Sequence, residues 1–146
     1  MQNFDYQTPT RLIFGKGVVD EKLSEVMNMF GKKVLLTYGG GSIKKMGLYD
    51  KVKELLKDKD IYELSGIQPN PKYDPSVLDG VKICKENDID VILAVGGGSV
   101  LDCSKAIAMI KLDMWICIIF QEYLFLIRHI HSLYQRSKLQ RDAQML

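Results

Sequence analysis

Ala94-Val95-Gly96-Gly97-Gly98-Ser99-Val100-Leu101-Asp102 is the stretch on which the reading of this chain turns. The largely apolar, β-branched run 89–95 ends in three glycines and a serine, and a helical pattern then opens with Asp102 and Lys105 one turn apart. This is the order strand, tight turn, helix N-terminus. Backbone N–H groups at a helix start have no partner inside the helix and attract anions, and glycines let a phosphate approach the backbone closely. The stretch is expected to form a phosphate cradle around which the chain is organised.

Upstream, the same grammar recurs. Residues 10–14 read as a short first strand closed by Gly15-Lys16-Gly17, and Val19, Leu23, Val26, Met27 and Phe30 then follow at helical spacing. That spacing predicts a helix over 18–30 with Gly31 as its stop. Residues 33–37 form a buried-strand run ending in Tyr38-Gly39-Gly40-Gly41-Ser42, and Leu48, Val52, Leu55 and Leu56 mark one face of the next helix. A third strand is expected at 61–64, then a loop at 66–71 with two prolines. Asp74-Pro75 reads as an N-cap and first helical residue, with Val77, Leu78, Val81 and Cys84 turned inward. Strands alternating with helices predict an α/β fold with a parallel sheet and flanking helices. Ligands of such sheets sit beyond the strand C-termini, where both glycine triplets fall, so the two triplets could line one crevice.

Composition narrows the function. The chain has 146 residues, 47% of them hydrophobic and 26% charged, with a net charge of +2 and no concentrated basic patch of the kind that nucleic acid binding calls for. Residues 1–110 balance 15 Lys and Arg against 15 Asp and Glu, so the excess lies in 111–146, which carry 5 against 3. Three cysteines, Cys84, Cys103 and Cys117, form no CxxC pair, which favours a reducing, cytoplasmic setting over a disulfide framework. The polar start with Asp5 does not read as a secretory signal. All glycines lie at or before Gly98 and all prolines at or before Pro75. Ordinary usage would put roughly five or six of the two in the remainder. The segment 109–130 is crowded with large apolar residues on all sides, which reads as a divergent, apolar helical tail. Gln121 and Glu122 interrupt it, and it is too short to span a bilayer comfortably.

Bland readings compete with each motif. Neither triplet is a full GxGxxG, since Leu101 and Lys44 stand where the third glycine would be. A single glycine cluster after a strand is more often a turn than a site, and the presence of two favours the site. Lys44-Lys45 reads as a phosphate partner or, by default, as a solvated helix face. Asp102 suits a ribose hydroxyl or simply the positive end of the helix. His129 and His131 would share a face on a strand but not on a helix. They are read here as partly exposed histidines rather than metal ligands.

Four ordered motifs over about 108 residues carry a family resemblance. They are Thr8-Pro9-Thr10-Arg11 with Phe14-Gly15-Lys16-Gly17, Tyr38 through Lys45, Gly66-Ile67-Gln68-Pro69-Asn70-Pro71, and Gly96 through Asp102 with Lys105-Ala106-Ile107-Ala108. Together they resemble the iron-containing alcohol dehydrogenases, most nearly the NADPH-dependent butanol dehydrogenase and aldehyde reductase branch. The resemblance implies a Rossmann-like nucleotide-binding domain, the N-terminal one of a two-domain dehydrogenase. It implies that Gly97, Gly98 and Ser99 hold a pyrophosphate and that Asp102 sits toward the nicotinamide ribose. It also implies that Asn70 lies beside the adenosine and that Gly40, Gly41 and Ser42 face its 2′ position. NAD-preferring relatives place an aspartate at that last site. Gly40 therefore favours NADP(H) over NAD(H).

From about Met109 the family pattern ends. The segment that closes over the cofactor and the helical domain with its one aspartate and three histidine ligands for iron or zinc are absent from this sequence. The expected organisation is a dinucleotide-binding domain over 1–110, incomplete, and a divergent tail over 111–146 that a frameshift would explain. The expected function is the cofactor-binding portion of a metal-dependent enzyme interconverting butanol-like primary alcohols and aldehydes, with no catalytic or metal-binding residue of its own and weak or no activity alone. Two alternatives stand beside it: a non-catalytic nucleotide-binding or interaction fragment, and a poorly folded pseudogene product. The expected partners are the nicotinamide cofactor and, in the full-length relative, a small alcohol or aldehyde. Neither nucleic acid nor membrane is expected, and assembly as a homo-oligomer is left open.

Overall fold

Val91, Ile92, Leu93, Ala94 and Val95 are all buried, so this segment needs apolar neighbours on both faces. A central strand of a parallel sheet, covered by helices front and back, meets that need. The structure, a computed structural model, describes residues 10–69, 73–111, 114–120 and 123–127. In chain order it contains β1 (Arg11–Ile13), α1 (Val18–Met27), β2 (Lys33–Tyr38), α2 (Ser42–Lys45), α3 (Leu48–Leu55) and β3 (Asp60–Leu64). A π-helical turn over Tyr73–Val77 then leads into α4 (Leu78–Asn87), followed by β4 (Val91–Val95), α5 (Gly98–Lys111), β5 (Trp115–Phe120) and β6 (Tyr123–Ile127).

The strands form one sheet in the order β1-β6-β5-β4-β2-β3. β3, β2, β4 and β5 run parallel, with Tyr38 opposite Val95 and Val95 opposite Ile119. β6 is antiparallel to β5, and β1 is antiparallel to β6. Residue parity sorts the core into two layers. Val34, Leu36, Tyr38, Val91, Leu93 and Val95 pack with Leu23, Met27, Ile43 and Val52 of α1, α2 and α3. Leu35, Ile92, Ala94, Ile116 and Ile118 pack with Val81, Cys84, Cys103 and Ile107 of α4 and α5. The helices after β2 and after β4 therefore leave on opposite faces of the sheet. Strand order reverses between these two neighbours, and the crevice beyond their C-terminal ends is the switch point of a doubly wound sheet. Among the described residues no helix is long and apolar enough to cross a membrane.

The predicted α/β architecture stands, with four local corrections. The tail was expected to be helical, but 115–120 and 123–127 are strands. Ile116, Cys117, Ile118 and Ile119 are buried in the two layers alternately, so this run is apolar all round because it is an inner strand. Periodicity alone does not separate that from a buried helix. α1 ends at Met27, ahead of Gly31. Gly31 instead leaves room for the Asp90 carboxylate, which accepts a 2.9 Å hydrogen bond from the Lys33 N–H. Helical structure begins at Tyr73, before Asp74, so Asp74 lies inside the first turn rather than capping it. Leu78, expected inside, is exposed.

One buried polar contact fastens β2 to α5. The Thr37 and Ser104 hydroxyls lie 2.7 Å apart, both fully buried, and the Ser104 hydroxyl also sits 2.7 Å from the Val100 carbonyl. A carbonyl only accepts, so Ser104 donates to Val100 and Thr37 donates to Ser104. Ser104→Ala strands the Thr37 donor, at a cost of about 1–3 kcal/mol, whereas Thr37→Val leaves the Ser104 donor satisfied and costs about 1 kcal/mol. Chemical denaturation of both variants is expected to show that order; an equal or inverted pair of losses would contradict it.

Candidate functional site

Both glycine loops leave the sheet at the switch point. Gly96 follows β4 with φ 152°, and a Cβ there would stand 3.0 Å from a Val100 methyl, so both backbone and space demand glycine. The Gly97 carbonyl accepts from the N–H of Val100 (3.1 Å) and of Leu101 (3.2 Å), which starts the bonding of α5. The N–H groups of Gly98 and Ser99 lie ahead of these first donors, at the positive end of a helix 14 residues long. A Cβ at Gly97 or Gly98 would meet nothing within 4 Å, so the backbone here is open to an incoming group.

The second loop follows β2. Gly41, at φ 114°, turns the chain into α2. Gly39 lies where a Cβ would come to 3.8 Å from the same Val100 side chain that crowds Gly96, so the two loops stand against each other. The loop after β3 joins them: Gly66 N–H donates to the Gly39 carbonyl and Ile67 N–H to the Tyr38 carbonyl, each at 3.2 Å. A cleft of about 250 Å³ opens between the β2 and β3 exits, lined by Tyr38, Gly39, Gly40, Gly41, Lys44, Ser65 and Gly66.

Beside the cleft stands a polar network that the sequence patterns did not reveal. Glu63 of β3 accepts hydrogen bonds from Tyr38 (2.7 Å), Tyr49 (2.8 Å) and Lys53 (3.0 Å). Burial pushes the Glu63 carboxyl up, but these three donors outweigh it and leave it below the ordinary carboxylate value. Tyr38 is raised by burial and by its bond to Glu63. Tyr49 is pushed up to about 12, first by donating to Glu63, because ionising the phenol would set two negative charges together. Lys44 rests on the two rings, its ammonium 4.7 Å from the Tyr49 centroid and 5.4 Å from that of Tyr38.

Of the residues singled out from sequence, Gly40 and Gly41 line the cleft, and Ser42 begins α2 beside them. Gly97, Gly98 and Ser99 form the turn into α5. Asp102, one turn into α5, is largely exposed, with Lys105 at 3.9 Å. Asn70 and both histidines, His129 and His131, lie outside the described residues. Among the described residues no group of three or more His, Cys, Asp or Glu side chains is placed to hold a metal ion. All three cysteines are buried free thiols, and burial raises each one, Cys117 to about 12, so they stay protonated.

Residues 9–134 match the family model for iron-containing alcohol dehydrogenases, a span that runs past the point where the motif pattern ends. The chain is 56% identical over 110 residues to probable NADH-dependent butanol dehydrogenase 2 of Bacillus subtilis, which covers 74% of this chain and 28% of that protein. It is 46% identical over 108 residues to the NADPH-dependent aldehyde reductase YqhD of Escherichia coli, covering 74% of this chain and 27% of the relative. The crystal structure of NADH-dependent butanol dehydrogenase A from Thermotoga maritima superposes with a TM-score of 0.68 at 42% identity, over 74% of this chain and 27% of the other. The chain thus spans a little over a quarter of the length of the curated relatives that it matches.

The Tyr49–Glu63 bond makes stability depend on alkaline pH. A pKa raised on folding stabilises the fold fully below the unfolded value near 10, and that contribution is lost as pH rises toward the folded value of about 12. Tyr49→Phe is therefore expected to melt below the parent chain at pH 8, with the gap closing between pH 10 and 12. A constant gap across that window would contradict the assignment.

Proposed function

The chain belongs to the iron-containing alcohol dehydrogenase family, and from that premise we propose that it holds a nicotinamide dinucleotide across the β2–β4 switch point, as the cofactor-binding part of an enzyme interconverting primary alcohols and aldehydes. The observation that carries this reading is the meeting of the two glycine loops. Gly96 is crowded by the Val100 side chain and Gly39 faces the same side chain at van der Waals distance, while Gly97 and Gly98 leave open backbone beside them. A dinucleotide is a long ligand with a phosphate centre, and a crevice between two strand ends with N–H donors at one side suits its shape and charge.

In this reading Gly97, Gly98 and Ser99 bind the pyrophosphate through backbone N–H groups. Asp102 reaches toward the nicotinamide ribose, and Asn70 stands beside the adenosine. Gly40, Gly41 and Ser42 face the adenosine 2′ position. The bound cofactor supplies or accepts a hydride at the substrate carbonyl carbon. The chain's own part is to bind and orient it. The described residues offer no donor set that fits the metal in the family's name, and no substrate-activating role is assigned to them. Three free, buried cysteines agree with a cytoplasmic setting.

NADP(H) is the favoured cofactor. A Cβ at Gly40 would meet nothing within 4 Å, and Lys44 is the charged residue in the cleft lining, with no carboxylate there to repel a 2′-phosphate. The relatives' names divide between NADH and NADPH, so the preference rests on this local chemistry. Calorimetry of the purified chain is expected to give tighter binding of NADPH than of NADH, and Gly40→Asp is expected to reverse the order. An unchanged NADPH preference in Gly40→Asp, or an NADH preference in the parent chain, would contradict the proposal.

A further inference from the structure

We propose that Tyr49 and Glu63 act as positioning residues for Lys44, holding its ammonium at the β2 cleft so that it selects a dinucleotide carrying a 2′-phosphate over one with a free 2′-hydroxyl. The inference rests on the dinucleotide reading above and assigns the residues that would set its cofactor specificity.

Lys44 is placed by contacts rather than by an ion pair. Its ammonium lies over two rings, those of Tyr49 and Tyr38, which meet edge to face with centroids 5.6 Å apart. The ring faces are electron-rich and attract the cation. The rings are themselves fixed, because both phenols donate to the two oxygens of the one Glu63 carboxylate. That carboxylate has its own cation in Lys53, at 3.0 Å. None of the ion pairs among the described residues includes Lys44. The result is a division of labour between two lysines. Lys53 neutralises Glu63, while Lys44 keeps an uncompensated charge in the cleft lining.

A free lysine side chain loses much rotamer freedom when it grips a phosphate. A lysine already resting on a fixed pair of rings loses less, which raises affinity without any new contact. The attraction to the rings biases the side chain by only about two- to fivefold at an exposed site, so it places the ammonium without competing with a phosphate. A dinucleotide lacking the 2′-phosphate gains nothing from this arrangement.

The test is calorimetric titration of NADPH and NADH into the purified full chain and three variants. Lys44→Met is expected to lose about tenfold or more in NADPH affinity. Tyr49→Leu is expected to lose about two- to fivefold for NADPH, with NADH changed less than about twofold, which also reports that the variant is folded. Tyr49→Phe keeps the ring beneath the ammonium but loses its tie to Glu63, and is expected to recover only part of the loss. An NADPH-to-NADH affinity ratio in Tyr49→Leu equal to that of the parent chain would overturn the positioning role while leaving the dinucleotide reading intact. A parent chain that binds neither dinucleotide would overturn both.

Discussion

The parallel pairing of β2 with β4 on one side and β3 on the other sets the two glycine loops and the cleft at one edge of the sheet. Val34 through Tyr38 lie in register with Val91 through Val95, and the helices that follow the two strands depart to opposite faces. Two chains that turn away from each other at adjacent strand ends leave a crevice between them. Helices on both faces demand apolar residues throughout these strands, while the exit after β4 demands glycine at Gly96. Gly39 would bring a Cβ to 3.4 Å from the Ile67 carbonyl, and Gly96 meets Val100. The hydroxyl chain from Thr37 through Ser104 to the Val100 carbonyl ties the last turn of β2 to the first turns of α5, so the two loops are held by one buried contact just beneath them.

Charge is laid out to match. The Lys44 ammonium lines the cleft, α5 starts at the neighbouring β4 exit, and the acidic group of the network, Glu63, is taken up by two phenols and Lys53. The buried thiols contribute no charge, because burial keeps them protonated. An anionic ligand therefore meets donors and a cation, with the carboxylate charge already engaged behind the tyrosine rings.

Much of this was legible in the residues. The strands β2 and β4 announced themselves as continuous apolar runs, α1 and α5 as helical repeats, and the glycine triplets as strand exits. Local pattern carries such information because each feature depends on neighbours in sequence. The rest depends on distant partners. Thr37 and Ser104 are 67 residues apart, and Glu63 meets Tyr38 across 25 residues, so no spacing rule points to either contact. The run 115–120 misled because an inner strand and a buried helix are both apolar on all sides; its isoleucines, which favour strands, were the available signal. At Gly31 the missing side chain matters and the backbone does not, and only the Asp90 carboxylate beside it, distant in sequence, reveals that.

The central claim is that the two glycine loops act as one binding site. Amide chemical-shift mapping of the isotopically labelled chain during an NADPH titration tests it most directly. The amides of Gly39, Gly40 and Gly41 and those of Gly97, Gly98 and Ser99 are expected to shift together along one binding curve. Shifts confined to one loop, or the absence of shifts in both, would contradict it.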